Sequence, residues 1–89
     1  MLIDVVIPAL DEEEALPHVL AAIPEGAVRR VVVADNGSRD RTAEVAREAG
    51  AEVVREPRRG YGDACLKALA HLRHDPPDVL VFLYGDHSD

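Results

Sequence analysis

Two short stretches of the chain carry residue types that handle charge and phosphate. Residues 81–89 read VFLYGDHSD, an apolar run that opens into Gly85, Asp86, His87 and Asp89. Closely spaced aspartates after a strand present hard oxygen ligands for Mg2+ or Mn2+, and such an ion neutralises a diphosphate. Residues 56–63 read EPRRGYGD, with Gly60 and Gly62 at an expected helix N-terminus behind Arg58 and Arg59. Exposed amides plus two guanidinium forks suit an anion, although adjacent surface arginines are more often simply solvated. A third stretch, ADNGSRDRT at residues 34–42, makes a tight turn at Asn36 and Gly37. That turn leaves Asp35 at a strand tip, able to accept hydrogen bonds from a base or sugar. A plain loop with an acidic helix cap explains this segment equally well on its own.

Other candidates are weaker. His71, His74 and Asp75 gather near a helix end, where histidines favour the helix dipole without any metal, and no second ligand pair accompanies them. RRGYGDA imitates a dinucleotide fingerprint, but Cys65 occupies the third glycine position and the motif follows the third strand. Cys65 is the single cysteine, so no internal disulfide forms, and on an apolar helical face it reads as a small core residue.

Charge narrows the partners. A formal net charge of −7 argues against a nucleic-acid backbone, which needs a basic stripe. A phosphate-bearing ligand must then be attracted locally, by arginines, helix N-termini or a metal ion, against the overall field. The longest apolar runs, such as VLVFL, are too short to cross a bilayer. The N-terminal MLIDVVIPAL has no basic leader and no small-residue cleavage site. It reads as a first strand, which implies a cytoplasmic protein.

The elements that must position these residues follow from periodicity. Four β-branched runs, at residues 2–7, 30–34, 52–55 and 79–83, read as strands. The first, second and fourth are nearly continuous apolar stretches, the pattern of strands buried on both faces of a parallel sheet. Leu16, Val19, Leu20 and Ile23 mark a first helix, and Pro17 sets its start near Glu14. Ala43, Ala46 and Ala49 mark a second, with Ser38 or Asp40 as cap and Gly50 as stop. A third runs over residues 62–74, with Ala64, Cys65, Ala68, Leu69 and Leu72 expected inside. HDPPD, at residues 74–78, reads as a stiff turn into the last strand. Strands alternating with helices give an α/β fold, a Rossmann-like parallel sheet of about four strands with helices on both faces. Its ligand site belongs at the carboxyl ends of the strands, where the strand order reverses.

Taken in order, VVIPALDEEEALPHVLAAI, VVVADNGSRDRTAEVAREAGAEVV, REPRRGYGDACLKAL and DVLVFLYGDHSD resemble the N-terminal half of family 2 glycosyltransferases, the inverting GT-A enzymes that include dolichol-phosphate mannose synthase-like proteins. The resemblance spans essentially all 89 residues. It implies one nucleotide-sugar-binding domain over residues 1–89, truncated before the acceptor half, with a UDP- or GDP-sugar as donor. By the same likeness, Pro8, Ala9, Leu10, Asp11 and Glu12 form the first nucleotide-contacting loop, Asp11 replacing the family's usual asparagine. Asp35 meets the base, and Arg59, Gly60 and Gly62 flank the nucleotide. YGDHSD falls on the aspartate-any-aspartate motif that holds Mg2+ or Mn2+ and the donor diphosphate. Asp86 keeps the second aspartate, whereas Tyr84 replaces the first. A phenol with a pKa of about 10 is neutral at pH 7, so metal affinity is expected to fall, with His87 or Asp89 available to assist.

The acceptor half supplies the family's general base, and no residue of this chain is assigned that role. Two functions therefore compete: a glycosyltransferase domain that needs the acceptor half from elsewhere, and a non-catalytic nucleotide-binding or self-associating relic of the fold. A phosphoacceptor regulator is set aside, because it needs an aspartate at the tip of the third strand, where Glu56 and Pro57 stand. Two crossovers should cover one face of the sheet and the third helix the other, leaving the last strand without an outer neighbour. Such an edge predicts a homodimer or higher oligomer.

Overall fold

The computed structural model describes residues 1–84. Four strands, β1 (Ile3–Ala9), β2 (Arg30–Asp35), β3 (Glu52–Arg55) and β4 (Val79–Phe82), alternate with three helices, α1 (Leu16–Ala21), α2 (Thr42–Glu48) and α3 (Tyr61–Leu72). The sheet has the order β3-β2-β1-β4, and every neighbouring pair is parallel. The chain steps outward from β1 to β3 and then returns to the far side of β1. The strand order therefore reverses between β1 and β4, the position at which open α/β sheets form a crevice.

Alternation along the strands builds two cores. Val5, Ile7 and Ala9 of β1 and Val33 of β2 face Leu16 and Ala46. Val6, Val32 and Ala34 face Ala64, Ala68 and Leu72 of α3. Thus α1 and α2 share one face and α3 covers the other, as the sequence predicts. The inner face of α3 is narrower than predicted, because residues at spacing four already fill the contact. Leu69 is 39% exposed and Cys65 is half-buried. The outer strand also departs from the sequence reading of two buried faces. Val79 and Phe82, at the ends of β4, are 38% and 39% exposed, because β4 is an edge strand paired only with β1.

Local chemistry sets the boundaries. After α2 the Gly50 amide bonds to the Arg47 carbonyl at 3.0 Å and the Ala51 amide to the Ala46 carbonyl at 3.0 Å. This is a Schellman ending, and Gly50 supplies its left-handed residue with φ 90°. Neither predicted cap occupies the N-cap of α2, which is Arg41 and makes no side-chain capping bond; Asp40, one residue earlier, accepts from the Thr42 amide at 2.9 Å. α1 begins at Leu16, two residues later than expected, after a turn closed by the Leu16 amide on the Glu12 carbonyl at 2.9 Å.

β1 extends past the predicted end at Ile7, so that Pro8 pairs with Ala34 and Ala9 with Asp35. Proline at this position limits the pairing on the other side of β1. The Val6 carbonyl points to β4, where it accepts from the Leu83 amide at 3.0 Å, and Pro8 shares that orientation one pleat further on. The next bond of a parallel ladder would run from residue 8 to the Leu83 carbonyl, and proline has no N–H to make it, so the pairing ends with Phe82 opposite Val6.

At the opposite end of the sheet, Asp4 is fully buried within the apolar run of β1. Arg29 grips it with two bonds, Nε to Oδ1 at 3.0 Å and Nη2 to Oδ2 at 2.7 Å, and Arg30 adds a third at 3.0 Å. Both guanidinium groups also donate to the Asp75 carbonyl, and the Asp75 carboxylate lies 3.0 Å from Arg29. The Arg29 hydrogen bond holds the Asp4 carboxyl below its usual range despite the burial that opposes it. HDPPD is thus more than a stiff turn, since it ties the start of β4 to the starts of β1 and β2.

Candidate functional site

Asp35 ends β2 and is 1% exposed. Its Oδ1 accepts from the Ser38 amide at 2.9 Å, and its Oδ2 lies 3.6 Å from Nε of Arg55 at the tip of β3. Arg55 is largely exposed, so the pair is screened on one side and open to exchange for another donor. One carboxylate edge is therefore fixed by backbone and the other is held loosely.

Around Asp35 the loops are sewn together. The loop after β1 meets the loop after β2 through four contacts: the Asp11 amide to Ser38 Oγ at 2.9 Å, the Arg39 amide to Asp11 Oδ1 at 2.8 Å, the Glu12 amide to Thr42 Oγ1 at 2.8 Å and the Glu13 amide to Asp40 Oδ2 at 3.2 Å. Burial pushes the Asp40 carboxyl up, but hydrogen bonds from the Thr42 hydroxyl and amide and from the Glu13 amide together bring it below the usual range. Asp11 has φ 52°. Aspartate and asparagine enter that left-handed region more readily than other residues with a β-carbon, which explains physically why one can stand for the other there.

On the other side, Asn36 reaches the loop after β3. Its Nδ2 donates to the Glu56 carbonyl at 2.9 Å and the Arg58 carbonyl at 2.5 Å, and its Oδ1 accepts from the Gly60 amide at 3.0 Å. Gly60, with φ 121°, precedes α3. Arg58, Arg59, Gly60 and Gly62 are all exposed at this helix start, where backbone amides point out of the first turn.

The predicted residues are accordingly gathered at one end of the sheet, in different settings. Pro8 and Ala9 are buried strand residues rather than loop residues, Leu10 is half-buried and Glu12 is buried. Asp35 sits at the centre, with Arg59, Gly60 and Gly62 on the flank formed by β3 and α3. Tyr84 follows β4 and packs on Tyr61, with ring centroids 5.9 Å apart and planes inclined by 34°. Asp86, His87 and Asp89 lie outside the described residues. The weaker metal candidate does not assemble: His71 Nε2 is 2.6 Å from the Glu52 carboxylate and Asp75 is engaged with Arg29. Burial raises the Cys65 thiol pKa, which suits a packing role. Among the described residues no group of three or more histidine, cysteine or acidic side chains is placed to hold a metal ion.

Sequence reasoning missed Asn36 as anything beyond a turn residue. Its signal lies in chemistry: a buried amide between two carbonyls and an N–H is satisfied only by a side chain that both donates and accepts.

A sequence profile described as Glycosyl transferase family 2 matches residues 4–88. The chain belongs to glycosyltransferase family 2. This family 2 chain is 60% identical over 62 residues to an uncharacterized glycosyltransferase of Mycobacterium tuberculosis, covering 70% of the chain and 28% of that relative. It is 36% identical over 89 residues to the 4,4'-diaponeurosporenoate glycosyltransferase of Staphylococcus haemolyticus, covering 94% of the chain and 24% of the relative. Its fold matches glucosyl-3-phosphoglycerate synthase of Mycobacterium tuberculosis, solved with Mn2+, UDP and glucosyl-3-phosphoglycerate. The TM-score is 0.81 at 34% identity, over 96% of this chain and 33% of the synthase. The family 2 chain thus spans a third or less of the length of these relatives. The same synthase has also been solved with Mn2+ and UDP-glucose. Among the described residues no helix is long and apolar enough to cross a membrane.

Proposed function

We infer that this chain is the donor-side unit of a glycosyltransferase, with residues 1–89 forming one domain that binds a nucleotide-diphosphate sugar for transfer to an acceptor. The observation that carries the reading is the position of Asp35, buried at the tip of β2 with loops on both sides hydrogen-bonded around it. Its loosely held Oδ2 is the acceptor for an N–H of the base. Pro8, Ala9, Leu10 and Glu12 form the wall on the β1 side, while Arg59, Gly60 and Gly62 offer a cation and open backbone on the other. The likeness to a synthase solved with UDP and Mn2+ supports UDP ahead of GDP as the nucleotide.

A divalent cation, Mg2+ or Mn2+, belongs to the proposal through Asp86. Its chemistry there is neutralisation of the diphosphate leaving group. The described residues alone do not fit such an ion, because the one side chain they place at the motif, Tyr84, is a neutral phenol engaged with Tyr61. No step of transfer is therefore routed through it. The acceptor site and the general base belong to a second half of the enzyme, and the setting proposed is cytoplasmic, where a chain with one cysteine needs no disulfide.

Calorimetry of the 89-residue chain with UDP, GDP and their sugars, each with and without Mn2+, tests the reading. UDP binding that is lost on Asp35→Ala is expected, and no heat from any nucleotide at millimolar concentration would refute it. The packing of Tyr84 on Tyr61 favours a second reading, a module that binds nucleotide without metal and without transfer. Binding that is identical in Mn2+ and in chelator would select it.

Self-association forms part of the proposal. β4 is an uncharged edge strand, and an apolar groove of about 570 Å³ opens beside it, lined by Val19, Ile23, Val28, Val81 and Leu83. A second copy pairing along β4 would cover both. Light scattering at micromolar concentration should give at least a dimer mass, and a monodisperse monomer would contradict it.

A further inference from the structure

Asn36 follows Asp35 directly, and only 2% of it is exposed. Its backbone amide donates to the Ala9 carbonyl at 2.9 Å, fixing it to the end of β1. Its side chain spends its bonding capacity on the opposite neighbour, with two N–H groups on the carbonyls of Glu56 and Arg58 and the oxygen on the Gly60 amide. One residue therefore joins three strand ends. Glu56 is further tied by its amide to the Asp35 carbonyl at 2.8 Å, and Arg58 by its amide to the Glu56 carboxylate at 3.0 Å. Pro57, Arg58, Arg59 and Gly60 are all exposed, so packing contributes little to the shape of this loop and hydrogen bonding must set it.

The partner pattern also fixes the residue type. Two acceptors lie on one side of the carboxamide and one donor on the other. An aspartate would set an oxygen against two carbonyl oxygens while keeping the Gly60 bond. An alanine would leave all three backbone groups without the side-chain partner.

We propose that Asn36 is a positioning residue for the donor nucleotide: its carboxamide latches residues 56–60 to the tip of β2, holding Arg59 and Gly60 beside Asp35. This rests on the donor-binding reading above, and it assigns to Asn36 no contact with the ligand. The latch makes the flank next to Asp35 a preorganised surface, so that binding need not spend free energy on ordering an exposed loop.

The test uses the 89-residue chain with Asn36→Ala and Asn36→Asp. Amide hydrogen exchange at Gly60, UDP affinity by calorimetry and global stability by urea unfolding are measured on each. Asn36→Ala should speed Gly60 exchange and weaken UDP by about tenfold, the effect of losing one net hydrogen bond's worth of loop order. Amides of β1 and β2 should exchange as before. Asn36→Asp should bind UDP at least as weakly as alanine near neutral pH, because a buried carboxylate then faces two carbonyl oxygens. Its affinity should recover as pH falls, when the carboxyl gains a proton to donate, a dependence that Asn36→Ala and a purely global loss of stability would not show. Where Asn36→Ala does not fold, Asn36→Ser, which keeps one donor and one acceptor, carries the test. Unchanged Gly60 exchange in Asn36→Ala would overturn the latch, and a freed loop with unchanged UDP affinity would overturn its positioning role. Failure of the wild-type chain to bind UDP would instead overturn the donor reading, and the latch would still be decided by Gly60 exchange.

Discussion

Replacing Asp4 by asparagine should cost this chain more stability than any surface change. The carboxylate is completely buried and takes three guanidinium hydrogen bonds, at 2.7, 3.0 and 3.0 Å. Removing its charge leaves Arg29 and Arg30 facing a neutral amide that can accept only part of what they donate. Breaking a buried pair on one side costs about 3–5 kcal/mol. The low end, about 3 kcal/mol, applies here because each arginine side chain keeps 21% of its surface exposed and Arg29 retains Asp75. For a domain of this size that corresponds to a fall in Tm of about 12–24 °C. Urea unfolding followed by circular dichroism at pH 7 measures it directly. The pH dependence adds a second check with a definite sign. Asp4 titrates below its unfolded value, so its contribution is whole above about pH 4 and is lost as pH falls through the folded pKa. Wild type should therefore lose stability on acidification below about pH 4, and Asp4→Asn should lose less. Asp40, depressed in the same direction, keeps part of the slope in both. A loss under about 1 kcal/mol at pH 7, or identical acid profiles, would show that desolvation cancels the network and that the reasoning is wrong.

Three further outcomes are expected. Tyr84→Asp should raise Mn2+ affinity by about tenfold or more, read by calorimetry without nucleotide, since a carboxylate replaces a neutral phenol; no change would mean that no metal site exists at this position. Asp35→Asn should weaken UDP by about 10- to 100-fold through loss of a charged acceptor, with unfolding little altered because the Ser38 amide can still bond to an amide oxygen; equal UDP affinity in both proteins would remove Asp35 from the site. Gly50→Ala should cost about 1–2 kcal/mol in urea unfolding, purely from its φ of 90°, because a β-carbon there meets nothing within 4 Å; a neutral result would mean that the helix ends differently in solution.

The alternation of apolar strands with helical spacing made the layer order legible, because each crossover had to bury one face and Gly50 and Asp40 carry conformational signals of their own. Asp35 was legible for the same reason, standing where an apolar run gives way to a turn. Other features depend on partners distant in the chain. Asp4 is a single charge inside an apolar run, and only the folded register brings Arg29, Arg30 and Asp75 around it. Asn36 carried a turn signal that hid its bonds to a loop 20 to 24 residues away. β1 runs two residues past its expected end at Ile7, because β2 keeps pairing with it on the side that does not need the N–H of Pro8. Leu69 was placed inside because periodicity gives the direction of a helix face, whereas the width of that face is set by how closely alanines let the helix approach.

The uneven lengths of the two strands beside β1 have a consequence of their own. β2 accompanies β1 to Ala9, but β4 stops pairing at Val6, so the margin of the sheet steps down by three residues, roughly 10 Å. Pro8, at the centre of that unpaired stretch, is the one residue type whose backbone offers no hydrogen, so the ladder with β4 has no donor with which to continue beyond Val6. Any other residue at position 8 would restore that donor, and with it the means to lengthen the pairing toward the Leu83 carbonyl.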